Sequence, residues 1–265
     1  MLNTSLIQLK NTMNKDEFDL KAREILDFIE DNQNNSLING ELIIERNFKL
    51  KSTKSLGEIL NWYQEIKKTN NLEISEVDLI DCKNWKFQEK EISHISEKFF
   101  KIIGIKVQNS DSREVGKIGW YQPIIQEVGF DGGVLGLIRK KIDGIPHYLI
   151  NAKAEPGNYN GVQLSPTLQA TKSNLNAVHG GDKPNFYEFF EDLESNKEII
   201  FDQWLPEDGG RFYLKRNRGI IINKNEKATI KVPKNFTWIT LGQIVELIKT
   251  ENIVNPHLRS LISVL

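Results

Sequence analysis

Cysteine is nearly missing from these 265 residues, with Cys82 the single example. An internal disulfide is therefore excluded, and a cysteine-built zinc site has no ligand set; both fit a reducing compartment. Net charge is nearly missing too, since 35 Lys and Arg face 36 Asp and Glu for a balance of −1. Such a chain has no global field for gripping a polyanion, which argues against nucleic acid as its main partner but leaves room for a local anion pocket. No apolar run nears the roughly 20 residues that cross a bilayer. The opening Met1-Leu-Asn-Thr-Ser lacks the basic-then-apolar pattern of a secretory signal. The expectation is a soluble, cytoplasmic protein with no membrane partner.

Familiar signatures are also lacking. No GxGxxG follows a strand, no Gly-x-x-x-x-Gly-Lys-Ser/Thr phosphate loop occurs, and neither HExxH nor CxxC is found. Asp131-Gly132-Gly133 lacks the later ligand positions of a calcium loop. The sequence therefore gives no support to a redox cofactor or a tightly held metal, and none of either is expected.

What is there suits a globular protein able to bury a core without staples: hydrophobic residues make up 39% and charged residues 27%. Phe18, Ala22, Ile25, Leu26 and Ile29 recur at helical spacing. A capping box at Ser55 and Glu58 precedes Leu56, Ile59, Leu60, Tyr63 and Ile66 on one helical face. Residues 1–92 thus read as a helical region for packing or dimerisation, with no chemistry of its own.

From about Phe99 the period changes to two. Phe99 to Val107, Val134 to Lys140 and His147 to Ala154 read as strands, with turn signals at Asp131-Gly132-Gly133 and Asp143-Gly144. A short aromatic helix is expected over Tyr187 to Leu193, and further strands near Ile199 to Trp204, Arg211 to Leu214 and Gly219 to Asn223. Thr240-x-x-Gln243 is a second capping box, opening a closing helix with Val245 and Ile248 on its inner side. The fold class that follows for residues 93–265 is α+β, a curved, mixed or mostly antiparallel sheet with flanking helices.

Chemistry concentrates between Asn151 and Asn174. Strand alternation sends Asn151, Lys153 and Glu155 one way and Ile150, Ala152 and Ala154 the other. After Pro156-Gly157, the odd positions Gln163, Ser165, Thr167, Gln169, Thr171 and Ser173 are all hydroxyls or amides, alternating with Leu164, Leu168 and Ala170. A ladder of short neutral donors and acceptors suits sugar hydroxyls and phosphate oxygens; it equally suits a plain edge strand marked by Pro166. His179-Gly180-Gly181-Asp182 places an imidazole beside flexible backbone. Gly209-Gly210-Arg211-Phe212-Tyr213 offers a cation and a phenol. Arg113, Trp120, Tyr121 and Gln122 supply groups suited to a base and a diphosphate.

Taken together, Arg113-Glu-Val, Trp120-x-Gln122-Pro123, Ala152 to Asn158, Gln163 to Thr171, Gly-Gly-Arg211-Phe-Tyr, Trp238-x-Thr-Leu-Gly-Gln243, Asn252 and Val254-Asn255 resemble the NDP-hexose 2,3-dehydratases of deoxysugar biosynthesis. The resemblance runs from about Phe99 to Leu261 with the motifs in order. It implies a Nudix-like fold without the hydrolytic metal helix and an NDP-4-keto-6-deoxyhexose substrate, most often thymidine-linked. Members often carry two related copies per chain and this sequence has one, so a homodimer with an isologous interface is expected to replace the covalent pair.

Dehydration of such a sugar needs a base for the C3 proton, an acid for the departing C2 hydroxyl and a stabiliser of the enolate, but no cofactor. On this reading Glu155 and His179 share the base and acid roles in unassigned order, and Lys153 faces the C4 oxyanion. Arg113, Gln122, Asn158, Gln163, Ser165, Thr167, Gln169, Thr171, Arg211 and Tyr213 hold sugar and diphosphate, while Trp120 or Tyr187 stacks on the base. A non-catalytic nucleotide-sugar sensor and a keto-sugar isomerase on the same scaffold are the rival readings.

Overall fold

The computed structural model describes residues 41–42, 44–46, 50–108, 119–129, 132–171, 175, 183–191 and 198–265. The helix expected at residues 18–29, and the candidates Arg113 and His179 with its neighbouring Gly180, Gly181 and Asp182, lie outside the described residues.

The expected capping box opens helix α1 (Leu56–Lys68). Ser55 Oγ accepts from the Glu58 amide at 3.2 Å, and the Glu58 carboxylate accepts from the Ser55 amide at 2.7 Å. This satisfies two of the amides a helix start leaves without partners. Ile59 and Tyr63 are buried, with Leu56, Leu60 and Ile66 partly buried beside them. The Tyr63 hydroxyl donates to the Val162 carbonyl at 2.8 Å, tying α1 to the main sheet.

Residues 85–94 form strands instead of the helix expected up to residue 92. Strands β1 (Trp85–Phe87) and β2 (Glu91–His94) pair antiparallel, with Trp85 opposite His94 and their rings edge to face at 5.7 Å. Cross-strand aromatic pairing of this kind favours strands and carries no helical period. β2 continues into β3 (Lys101–Val107) and β4 (Trp120–Gln126), which the two-residue β10 (Phe212–Tyr213) joins in parallel, completing a five-stranded sheet.

The larger sheet holds β5 (Gly133–Ile142), β6 (Ile145–Ala154), β7 (Val162–Ser165), β8 (Leu168–Thr171), β9 (Ile199–Pro206), β11 (Arg216–Lys224) and β12 (Phe236–Ile239). Its order is β12-β6-β5-β11-β9, parallel only between β5 and β11. The β5–β6 hairpin is paired as far as Ile138 and Leu149, and then its strands part. β7 takes up the free end of β6 and β8 the free end of β5. The mixed α+β class is thus observed.

One face of this sheet packs Leu135, Leu137, Tyr148, Ile150, Leu164 and Ile221 against α1, α2 (Leu241–Ile248) and α3 (Pro256–Ile262). The other face packs Ile138, Leu149, Leu168, Ile220 and Ile222 against Phe186, Phe190 and Phe236. The aromatic helix expected from Tyr187 is a 3-10 turn, Tyr187–Phe190. Thr240 and Gln243 form the expected capping box of α2. The inner side of α2 needs correction, however. Leu241, Ile244 and Leu247 are buried, with Ile248 half-buried beside them, while Val245 is 44% exposed. The spacing 241, 244, 247 selects a face one step round from the expected one. The chain then adds α3, which Asn255 caps through the Leu258 amide with Pro256 at the first helical position.

Candidate active site

Where the two sheets meet, a cleft of about 300 Å³ opens. The larger sheet lines it with Leu135, Lys153, Gln169, Ala170, Thr171 and Asn217, and Glu155 follows directly after β6. The smaller sheet and its linkers contribute Phe100, Glu207, Phe212 and Lys215, and α3 contributes His257. The lining therefore combines aromatic with charged side chains, which is the composition of a site that holds a polar ligand in a fixed orientation.

Two polar groups share the cleft. In the first, Lys153 Nζ lies 2.9 Å from Glu155 Oε1 and donates to the Gln169 carbonyl at 3.0 Å. Gln169 Nε2 spans both Glu155 oxygens at 3.1 Å, and Gln169 Oε1 accepts from Asn255 Nδ2 at 2.8 Å. Lys153 and Glu155 keep about a third of their side-chain surface, so the ammonium is oriented and still reachable. In the second, Lys215 Nζ donates to Asn217 Oδ1 at 3.0 Å, sits 3.5 Å from Glu127 and lies over the Phe100 ring. Asn217 Nδ2 donates to Glu207 Oε1 at 2.7 Å, and that carboxylate faces His257 Nε2 at 3.7 Å. Burial pushes His257 below the ordinary histidine value; Glu207 and Glu155 pull it back up, while Lys153 and Lys215 push it further down.

Close backbone approach makes the second group possible. Gly132 has φ +73° and its amide donates to Glu127 at 3.1 Å, while the Gly133 amide donates to Asn217 Oδ1 at 3.1 Å. A Cβ on Gly132 would stand 2.6 Å from the Arg216 carbonyl, and one on Gly133 2.7 Å from Asn217 Oδ1. Both positions therefore need glycine.

Of the residues singled out from sequence, Lys153, Glu155, Gln169 and Thr171 meet in this cleft. Ser165 and Thr167 do not belong to a ligand-binding ladder, and this is a correction. Both are buried, at the point where β5 and β6 part. The Thr167 hydroxyl accepts from the Ile138 amide and donates to the Leu149 carbonyl, filling the gap that the diverging strands leave. Ser165 Oγ contacts the Asn151 and Pro166 carbonyls. The unbroken alternation read from sequence fails at Pro166 because the chain there crosses from one strand partner to another.

Asn158 closes its own turn, donating to the Lys153 and Gly161 carbonyls. Gln163 donates to the Asn252 carbonyl. Trp120 bonds Gln122 at 2.7 Å on the smaller sheet, Arg211 pairs with Asp208 on the surface, and Tyr213 sits on β10. Tyr187 lines a different cavity of about 360 Å³, with Trp204, Phe190 and Arg218. None of these residues lines the charged cleft. Sequence reasoning missed Glu207, Lys215, Asn217 and His257, although Asn255-Pro256 signals a helix start whose next residue is His257.

A family model described as NDP-hexose 2,3-dehydratase matches residues 56–265. The chain belongs to the NDP-hexose 2,3-dehydratase family. The match starts at the first residue of α1, so that helix is part of the family unit together with both sheets. Three dTDP-4-dehydro-6-deoxy-alpha-D-glucopyranose 2,3-dehydratases are similar to this family member. That of Saccharopolyspora spinosa is 34% identical over 76% of this chain and 40% of its own length. That of Amycolatopsis orientalis is 34% identical over 78% and 44%, and that of Streptomyces violaceoruber 33% over 76% and 44%. The chain thus spans less than half the length of the curated relatives it matches. Among solved structures, an ADP compounds hydrolase aligns with 74% of this chain and 89% of its own at 10% identity and a TM-score of 0.37.

Proposed function

We propose that this chain is a cofactor-independent hydro-lyase that removes water across C2 and C3 of an NDP-4-keto-6-deoxyhexose, yielding an NDP-3,4-diketo-2,6-dideoxyhexose. The observation that carries the reading is the Lys153–Glu155–Gln169 group, a partly exposed ammonium held in place at the wall of a charged cleft. Membership of the 2,3-dehydratase family and the names of the three curated relatives supply the substrate class.

The 4-keto group acidifies the C3 proton. A base removes it, and the electron pair moves to the C4 oxygen, where Lys153 stabilises the negative charge. The enolate then collapses, the C2–O bond breaks, and the hydroxyl leaves as water once it is protonated. The C2–C3 enol takes a proton at C2 to become the diketone. Glu155 fixes Lys153 beside the reacting carbons.

A homodimer is part of the proposal, with a second copy supplying what the longer relatives carry in one chain. The exposed Ile74, Val77, Leu79 and Ile80 between α1 and β1 offer apolar surface for it, and sedimentation of the purified chain checks it. Cytoplasmic placement is likewise proposed, in keeping with the single cysteine. To test the activity, the chain is incubated in deuterated water with a thymidine-diphosphate-linked 4-keto-6-deoxyhexose. Loss of water with deuterium entering at C2 is expected. Solvent exchange at the ring carbon with the C2 oxygen retained would indicate an isomerase, and binding without reaction a sensor.

A further inference from the structure

The dehydration chemistry requires a base, and in the Lys153 group the Glu155 carboxylate is committed to holding Lys153 and Gln169. Glu155 is the charge partner of Lys153 and accepts from Gln169 at both oxygens, so the carboxylate is held in place by both neighbours. Among the described residues, the cleft contains one other acid–base arrangement. His257, at the second position of α3, faces Glu207 across 3.7 Å, and Glu207 is itself held by Asn217 Nδ2 at 2.7 Å. Residues 253–255 bring the imidazole here. Leu164 on β7 donates its amide to the Ile253 carbonyl and accepts from the Asn255 amide, and Asn255 then caps α3 and bonds Gln169.

We infer, on the dehydratase reading above, that His257 is the catalytic base that takes the C3 proton, and that Glu207 is the residue that positions and charge-stabilises it. A carboxylate behind an imidazole orients the ring and favours the imidazolium once the proton arrives. The proton moves from C3 to His257, and the electron pair of the C–H bond moves to the C4 oxygen beside Lys153. The imidazolium then delivers that proton to the C2 hydroxyl as the C2–O bond breaks, so water leaves and the imidazole is regenerated. No oxidant or co-reactant enters. The charged groups facing the imidazole are Glu207 ahead of β10, Glu155 after β6, Lys153 on β6 and Lys215 ahead of β11. Burial keeps the ring neutral near neutral pH, which is the form a base needs.

The test compares the wild-type chain, His257→Asn and Glu207→Gln on the thymidine-linked 4-keto-6-deoxyhexose, following turnover, substrate dissociation constant and the pH dependence of kcat/KM. His257→Asn is expected to lower kcat by about 10²–10⁴-fold, the usual worth of a positioned base, with substrate binding changed little and the acidic limb of the profile gone. Glu207→Gln is expected to retain part of the activity and to move that limb to lower pH, because loss of the carboxylate lowers the imidazole's affinity for protons. A merely structural Glu207 would leave the limb in place, and that result overturns its assigned role. Wild-type turnover together with an unimpaired, folded His257→Asn, or one impaired only in binding, overturns the base assignment alone. No wild-type turnover overturns the dehydratase reading, and the base assignment falls with it.

Discussion

Strands β5 and β6 carry a charged network at each end, and the two networks have opposite characters. At the hairpin end, Arg139 is 0% exposed and bonds Glu45 at 2.6 and 3.2 Å, Glu41 at 2.8 Å and Asn223 at 2.6 Å, while the Tyr148 hydroxyl caps the second Glu45 oxygen at 2.8 Å. Burial works against the charged forms of both partners. Facing Glu45 nevertheless holds Arg139 firmly protonated, whereas the Glu45 carboxyl ends above its ordinary value. The network is closed, and its effect is to fasten Glu41 and Glu45 to the sheet. At the other end, Lys153, Glu155, Lys215, Glu207 and His257 line an open cleft, and each keeps a face toward it. Charges that saturate one another in a dry interior make structure, whereas charges gathered around accessible space are available for chemistry.

The sharpest way to break the comparison is Arg139→Met. Leaving Glu45 buried without its partner is expected to cost about 3–5 kcal/mol of unfolding free energy, read as a lowered urea midpoint. The kcat of the remaining folded protein should be unchanged. Lys153→Ala should show the reverse. Loss of the oxyanion partner is expected to lower kcat about 10²–10³-fold, while removal of a partly exposed ion pair changes stability by less than about 1 kcal/mol, checked by turnover and denaturation of the same preparation.

Thr167→Val tests a third kind of position, buried and polar but not charged. It orphans the Ile138 amide and Leu149 carbonyl where β5 and β6 part, and about 1–3 kcal/mol of stability should be lost with kcat and KM both retained. A drop in kcat instead would return Thr167 to the ligand-binding face read from sequence.

The smallest expected effect concerns His147 at the hairpin end. It is fully buried, bonded to the Ile145 carbonyl at 2.8 Å and to the Thr53 amide at 3.2 Å, and burial lowers its proton affinity. The unfolded chain therefore binds a proton more readily than the folded one. Its contribution to stability is complete above the ordinary histidine value of about 6.5 and is lost as pH falls below it. Urea midpoints between pH 7.5 and 5.5 should decline for the wild type and less steeply for His147→Gln.

Legibility in the sequence followed locality. Lys153 and Glu155 were readable because they alternate on one strand beside a turn, and Gln169 and Thr171 because they repeat that period on the next segment. Ser165 and Thr167 carry the same residue types at the same period. Their hydroxyls are consumed by the backbone at a strand crossing, and a crossing is set by partners far away in the chain. Glu207, Lys215 and His257 come from the segment linking the two sheets and from the last helix. No local spacing ties them to Lys153, so only the fold brings them together. The capping boxes at Ser55 and Thr240 were legible in full because each rests on four consecutive residues, whereas Val245 was misassigned because short helices leave the choice of inner face to their tertiary neighbours.

The most direct test of the whole account is the position of the hexose. The structure of Lys153→Ala with the intact thymidine-linked 4-keto sugar should place the sugar between β6, the segment joining β9 to β10 and the start of α3. The C4 oxygen should point toward position 153, with C2 and C3 near Glu155 and His257. A hexose seated instead in the cavity of Tyr187, Trp204 and Arg218, with the charged cleft left free, would contradict the account.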